Sequence, residues 1–196
     1  MQGIGPIWRA AALVTLTAGA VITAAQHPAA AQVPPLLAGT EAEATGDPVD
    51  GMECAATESL LFHIHAHLAV FVDGLARTIP RGIGIPEPRR ITSSDQGPFA
   101  VGDRCYYRMH SHTADGTIHI ESALPRVYTL GDYFDIWRQP LGPDRVGPAR
   151  GRVISYVDGR RFAGDPRDIP LAEQSRVQVD VGVDVPPRGF TFPPGL

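Results

Sequence analysis

The chain lacks two residue types altogether, lysine and asparagine, so arginine supplies all 17 basic side chains. We attribute this bias to codon usage rather than to function. Without asparagine the chain has no N-glycosylation site. The formal net charge is −4, and without a basic run it gives no reason to expect a nucleic-acid partner. A glycine-rich phosphate loop is also missing from the sequence, which argues against a nucleotide-binding enzyme.

Long apolar runs are missing except near the N-terminus, where residues 1–31 have the pattern of a secretory signal peptide. Arg9 supplies a short basic region, residues 10–25 are apolar, and Ala29–Ala31 fit the small-residue cleavage rule. The apolar run is short for a membrane span, although an uncleaved anchor is the alternative. We predict export to the periplasm or the extracellular space, without stable membrane insertion after cleavage.

Cysteine is scarce, and the two that occur, Cys54 and Cys105, each precede a cluster of histidines. In an oxidising compartment two cysteines are expected to pair, so we predict a Cys54–Cys105 disulfide. The alternative is that one or both are thiolate ligands of a metal ion, as in a blue-copper site.

Six of the seven histidines fall in two short clusters. The first cluster lies between Phe62 and Val72, where every even-numbered residue is apolar. This alternation predicts a β-strand with one face in the core. The opposite face then presents His63, His65 and His67 side by side.

The second cluster lies between Met109 and Glu121 and is predicted to form a β-hairpin. Asp115 and Gly116 are a strong signal for a two-residue turn. That turn would place His112 opposite His119 and His110 opposite Glu121, all on one face of the hairpin. The register would change if the turn were longer.

Clustered imidazoles and a carboxylate are the ligands that transition metals prefer in proteins. We expect copper or zinc, with iron as a further candidate. If the two strands are neighbours, they form one mononuclear or dinuclear site; if they are not, they form two weaker sites. Met109 points away from His110 and is assigned to the core. The predicted metal ligands are His63, His65, His67, His110, His112, His119 and Glu121.

The rest of the chain predicts a mainly β single domain over residues 60–185, as a β-sandwich or small open barrel with one short helix. A β-grasp-like α+β arrangement is the alternative. Residues 32–59 are predicted to be a flexible spacer, with an irregular arm packed on the domain beyond Cys54 as the alternative, and 186–196 a proline-rich tail. The helix is expected over 131–138, because Thr129 and Asp132 have capping-box spacing. Prolines and glycines between residues 80 and 98 predict a long loop.

Several motifs together resemble a family of uncharacterised bacterial exported proteins, for which no activity is known. They are His-Ile-His-Ala-His-Leu at 63–68, His-Ser-His at 110–112, Gly-Thr-Ile-His-Ile-Glu-Ser at 116–122 and Thr-Leu-Gly-Asp-Tyr-Phe at 129–134. The usual family version has Asp after its second His-x-His, where this chain has Thr113. The resemblance implies export and no particular chemistry.

Three functional hypotheses follow from the sequence. The first is an exported metal-binding β domain for sensing, buffering or delivering a metal ion. The second is a metal-dependent enzyme, either a zinc hydrolase or lyase or an iron or copper oxidoreductase, for which no catalytic residue is assigned. The third is a ligand-binding or adhesion module without metal, in which histidine responds to pH. The metal ion is the one predicted partner, and no protein partner is assigned.

Overall fold

The computed structural model of the chain describes residues 1–3, 33–58 and 61–196. Apart from residues 1–3, the predicted signal peptide lies outside the described residues. Among the residues that are described, no helix is both long enough and apolar enough to cross a membrane.

The described residues contain sixteen β-strands, one α-helix and one 3₁₀ helix, Pro166–Asp168. The strands are β1 Cys54–Ala55, β2 Phe62–Val72, β3 Leu75–Arg77, β4 Arg89–Ser94, β5 Gly97–Gly102, β6 Tyr106–Tyr107, β7 Met109–His110, β8 Thr117–Ser122, β9 Tyr128–Thr129, β10 Leu141–Gly142, β11 Arg145–Val146, β12 Ala149–Arg150, β13 Val153–Val157, β14 Arg160–Phe162, β15 Pro170–Leu171 and β16 Ser175–Val181. The helix, α1, is Leu130–Trp137.

The main sheet is built around β2, the strand of the first histidine cluster. The strand order is β14-β13-β16-β2-β8-β7, and β3 pairs with the far end of β2. β2 runs parallel to β16 and antiparallel to β8 and β3. The β2–β3 turn has Asp73 and Gly74 at positive φ, 51° and 80°, as a tight hairpin turn requires.

One face of this sheet forms the hydrophobic core. The alternating apolar residues of β2 pack there with those of β8 and β16 and with helix α1. The helix begins one residue before its predicted start, with the predicted cap: the Thr129 side chain accepts from the Asp132 backbone N–H, and the Asp132 side chain accepts from that of Thr129. Its Phe134 and Trp137 are fully buried, which anchors the helix against the core.

Residues 33–58 differ from the flexible spacer expected of 32–59, because they lie along the folded domain. Leu37, Ala44 and Met52 are buried in its core. The Ala44 backbone N–H donates to Ile136 O at 2.9 Å, and the Trp137 indole donates to Gly39 O at 2.7 Å. Composition alone conceals these contacts, since a few apolar side chains and backbone hydrogen bonds are enough to order an irregular segment.

The opposite face of the sheet is polar at its centre, and the predicted tail packs against part of it. Gln178 and Asp180 on β16 are buried there. The Val185 backbone N–H donates to Asp180, and that of Arg188 donates to Gln178. The proline-rich segment is therefore held to the sheet by hydrogen bonds to buried side chains.

The fold class predicted from the sequence is confirmed: the protein is mainly β and sandwich-like, with one helix. Residues 33–196 form one compact unit. No barrel closes among the strands of the described part of the chain. The prediction of a long loop between residues 80 and 98 was wrong, since this segment contains β4, which pairs with β5 as a hairpin.

Candidate metal centre

The two histidine clusters lie on neighbouring strands of the main sheet. β2 pairs antiparallel with β8 so that His63 lies opposite Glu121 and His65 lies opposite His119. Directly opposed residues project from the same face of a sheet, with Cβ atoms roughly 4.5–5.5 Å apart. The two histidine clusters therefore meet on one face of the sheet, which the sequence alone did not decide.

The register predicted within the second cluster was wrong by two residues. In the structure His110 pairs with His119, not with Glu121, and His112 lies beyond the paired part of β7. Because side chains alternate with a period of two, a shift of two residues keeps every side chain on its original face. The histidines therefore still converge.

The register shifts because the backbone before the Asp115-Gly116 turn has other partners. The Ser111 N–H donates to Ile83 O at 2.9 Å, and His112 O accepts from the Ala100 N–H at 2.8 Å. Asp115 uses its carboxylate locally, accepting from the Thr113 hydroxyl and the Thr117 backbone N–H. Residues 111–116 therefore form a wide loop rather than a two-residue turn.

Seven possible ligands converge at one end of the polar face and form three overlapping groups of three. Within each group the ligand atoms lie within 4.8 Å of one another. Most of these side chains are buried, and the exceptions are Glu58 and His63, which are 37% and 30% exposed. The groups are His63, His65 and His119; His110, His112 and His119; and Glu58, His110 and Glu121. Imidazole and carboxylate groups in this arrangement can hold a metal ion.

The tautomers of two of these histidines follow from their backbone contacts. Nδ1 of His110 lies 2.9 Å from Tyr107 O, and Nδ1 of His112 lies 2.7 Å from Ala100 O. A carbonyl oxygen only accepts, so both rings donate from Nδ1. Metal-binding histidines are commonly oriented in this way, with the second nitrogen turned toward the ion.

The two remaining ring nitrogens of this pair face each other. Nε2 of His110 and Nε2 of His112 are 3.0 Å apart. In the neutral tautomers both carry a lone pair, so they repel unless a proton or a metal cation lies between them. Burial lowers the pKa of His110 to about 3, which disfavours a second proton, on Nε2, near neutral pH.

A proton between the two Nε2 atoms is the other way to relieve this repulsion. That proton would not provide a partner for Nε2 of His65, which is also buried and has no hydrogen-bond partner among the described residues. Burial lowers the pKa of His65 to about 4 and lowers that of His119 as well. Neutral, buried imidazoles with lone pairs directed at one another are an arrangement that a metal cation stabilises.

Glu58 is a member of the site that the sequence did not reveal. Its Oε1 lies 3.2 Å from Nε2 of His112 and 3.8 Å from Nε2 of His110. Its contact with the His112 imidazole is the main cause of the lowered pKa of Glu58. The disulfide between Cys54 and Cys105, confirmed by an S–S bond in the structure, fixes the start of this segment beside β6. The available signal was an acid four residues after a cysteine predicted to pair.

His67, the third histidine of β2, lies apart from the other five. Its Nε2 donates to Asp115 O at 2.9 Å, and its ring stacks on Phe190 with centroids 3.5 Å apart. Burial is the main cause of the lowered pKa of His67. We assign it to packing under the C-terminal tail rather than to the metal centre.

The loop with His110 and His112 is held from the core side by a buried hydroxyl chain. The Ser111 hydroxyl donates to Thr117 O at 2.7 Å. Its oxygen lies 2.7 Å from the Tyr133 hydroxyl, which must therefore be the donor in that contact. Helix α1 is linked in this way to the residue between the two histidines.

We expect Tyr133→Phe and Ser111→Ala to differ in their effect on the free energy of unfolding. Tyr133→Phe removes one hydrogen bond and should cost about 1 kcal/mol. Ser111→Ala leaves both Tyr133 and the Thr117 carbonyl without this partner, so it should cost more, about 2 kcal/mol. Urea unfolding of the two variants checks the order. An equal or reversed order would show that this chain does not hold the loop.

Comparison with protein-family models, with curated proteins and with solved structures finds no match to this chain. The fold and the side-chain geometry therefore define the class: a mainly β, disulfide-linked domain with a buried histidine cluster able to hold a metal ion.

Proposed function

We propose that the protein is an exported metal-binding domain that uses the histidine cluster to sense, buffer or deliver a transition metal. The observation that carries this proposal is the contact of 3.0 Å between Nε2 of His110 and Nε2 of His112. Both atoms are acceptors when Nδ1 donates to backbone, and a cation between them turns repulsion into ligation.

The donor set favours Cu(II) or Zn(II), with Fe(II) as a further candidate. Imidazole nitrogen and carboxylate oxygen suit these ions, whereas Cu(I) prefers thiolate and thioether sulfur. Both cysteines are joined in the disulfide. Met109 is buried in the hydrophobic core, on the face opposite His110. Sulfur ligands are therefore not part of the proposed site.

Export is part of the proposal and rests on two observations. Residues 1–31 have the sequence pattern of a signal peptide, and the mature part contains a disulfide, which persists in oxidising compartments. An exported site with nitrogen and oxygen ligands would meet metal ions in the periplasm or outside the cell.

A metal-dependent enzyme is the second candidate, favoured by the exposure of one edge of the site. Glu58 and His63 are 37% and 30% exposed, so water or a small substrate can approach from that side. An enzyme needs an open coordination position, whereas storage or delivery does not.

The proposal is tested by replacing the pair that carries it. The full chain is produced with export intact, and its bound metal is measured by elemental analysis and by competition titration with Zn(II) and Cu(II). We expect His110→Ala/His112→Ala to lose affinity by at least about 100-fold, because losing ligands costs more than losing their outer partners, which costs roughly 10–100-fold.

The matched control is His67→Gln, which removes an imidazole from the same strand system and keeps a side-chain donor for Asp115 O. It should bind metal like the wild type. Wild-type protein that binds neither ion would refute the proposal and favour the metal-free ligand-binding hypothesis. Equal affinity in the double variant would place the metal elsewhere.

A further inference from the structure

The cluster contains more ligands than one ion uses. Five imidazoles and two carboxylates lie together, seven side chains in all. A zinc ion in a protein takes about four ligands, and other first-row ions take up to about six. Five of the seven side chains are buried, so they are not simply polar residues at a solvated surface.

One half of the cluster consists of Glu58, His110 and His112. The three ligand atoms are 3.0, 3.2 and 3.8 Å apart. Two ligands at about 2.0–2.1 Å from one ion lie roughly 3–4 Å from each other. This half therefore has the spacing of two histidines and one carboxylate on a single ion.

The other half consists of His63, His65 and His119, next to Glu121. Oε1 of Glu121 lies 3.2 Å from Nε2 of His63. The imidazole centroids of His65 and His119 are 4.7 Å apart, and Nε2 of His65 is the buried atom without a hydrogen-bond partner among the described residues. This half repeats the composition of the first, with imidazoles and one carboxylate.

Glu121 lies between the two halves. The oxygen that is 3.2 Å from Nε2 of His63 is also 3.9 Å from Nε2 of His110. His119 is likewise close to both halves, because its ligand atoms group with those of His63 and His65 and also with those of His110 and His112. A carboxylate in such a position commonly bridges two metal ions about 3.5–4 Å apart.

We infer that the cluster is a two-ion centre, with one ion at Glu58, His110 and His112, a second ion at His63 and His65, and Glu121 between them. The inference rests on the proposed function, because it assumes that the cluster binds metal. Each ion would have one carboxylate to balance part of its charge. The exposed members, Glu58 and His63, come one from each half, so each ion would have one partly exposed ligand.

The inference is tested by the stoichiometry of the exported full chain. The metal-free protein is titrated with Zn(II), and bound zinc is counted after gel filtration. We expect two equivalents for the wild type and for the control His67→Gln. His65→Ala and His112→Ala should each retain one equivalent, because each removes a ligand from one half.

Loading with Cu(II) gives a second readout that a change in folding would not imitate. Two neighbouring copper ions couple magnetically, so the wild type should show an electron paramagnetic resonance signal well below the bound copper content. His65→Ala and His112→Ala should show an uncoupled signal equal to their copper content. Glu121→Gln, which keeps the side-chain shape, should weaken binding of the second equivalent by at least about tenfold.

The outcomes separate this inference from the proposed function. One bound ion that both His65→Ala and His112→Ala remove would overturn the two-ion centre and leave metal binding intact. Two bound ions without magnetic coupling would also overturn it. No bound ion in the wild type would refute the proposed function itself. Circular dichroism and an intact disulfide identify any variant that has failed to fold, and Glu121→Gln then carries the test.

Discussion

Removing the disulfide by Cys54→Ser/Cys105→Ser should lower the free energy of unfolding by about 4 kcal/mol. The bridge joins residues separated by 51 positions, and closing a loop of that length restricts the unfolded chain strongly. Urea unfolding of the oxidised wild type and the variant, both metal-free, measures the difference. A loss below about 1 kcal/mol would contradict this loop-entropy explanation.

The same variant should also bind metal more weakly, because the bridge positions the segment that ends at Glu58. Glu58→Gln is the matched control, since it changes the ligand and leaves the disulfide intact. It should weaken metal binding while changing the free energy of unfolding by less than about 1 kcal/mol, as expected for a partly exposed charged side chain. Unchanged binding in both variants would remove Glu58 from the site.

Acidification should destabilise the metal-free domain as the pH falls from about 6.5 to 4. Burial lowers the pKa of His65 to about 4 and that of His110 to about 3. In this pH range the unfolded chain binds protons at these histidines and the native state does not. Each histidine therefore removes up to about 1.4 kcal/mol of stability per pH unit, and this stability is complete above pH 6.5.

Two buried carboxylates act in the opposite direction. Burial raises the pKa of Glu43 to about 7 and raises that of Asp180, so protonation of these groups favours the native state as the pH falls. The contribution of the histidines is isolated by a matched variant. His65→Gln should show a smaller loss of stability between pH 7 and pH 5 in urea unfolding with chelator present. An identical loss in His65→Gln and the wild type would contradict the role of buried histidine.

The strand and the helix that shape the site were predictable because their signals are local. Alternation between Phe62 and Val72 reflects a strand with one face in the core, and β2 spans these residues. The capping pair Thr129 and Asp132 marked the start of the helix to within one residue. Both signals come from backbone geometry that neighbouring residues determine.

The register of the hairpin could not be predicted from local sequence signals. Asp115 and Gly116 favour a two-residue turn, but the backbone of Ser111 and His112 bonds instead to residues 82–83 and Ala100. Such competition comes from segments distant in sequence, which turn propensity does not register. The predicted face was nevertheless right, because alternation survives a shift of two residues.

The candidate site in the structure includes Glu58, which the sequence did not reveal, and does not include His67, which was predicted. Both differences depend on contacts between segments that are distant in sequence. Glu58 joins through the disulfide and the path of an irregular segment, neither of which has a periodic pattern. His67 leaves because Phe190 of the C-terminal tail stacks on it. The alternation that gives His63, His65 and His67 one face cannot tell which part of that face another segment covers.

The most direct test of the account is the position of the metal in crystals of the zinc-loaded protein, located by anomalous scattering at the zinc absorption edge. The account predicts a peak about 2.0–2.1 Å from Nε2 of both His110 and His112, with a second peak beside His63 and His65 if the two-ion inference holds. No peak among these histidines, or zinc bound elsewhere in the protein, would contradict the central claim.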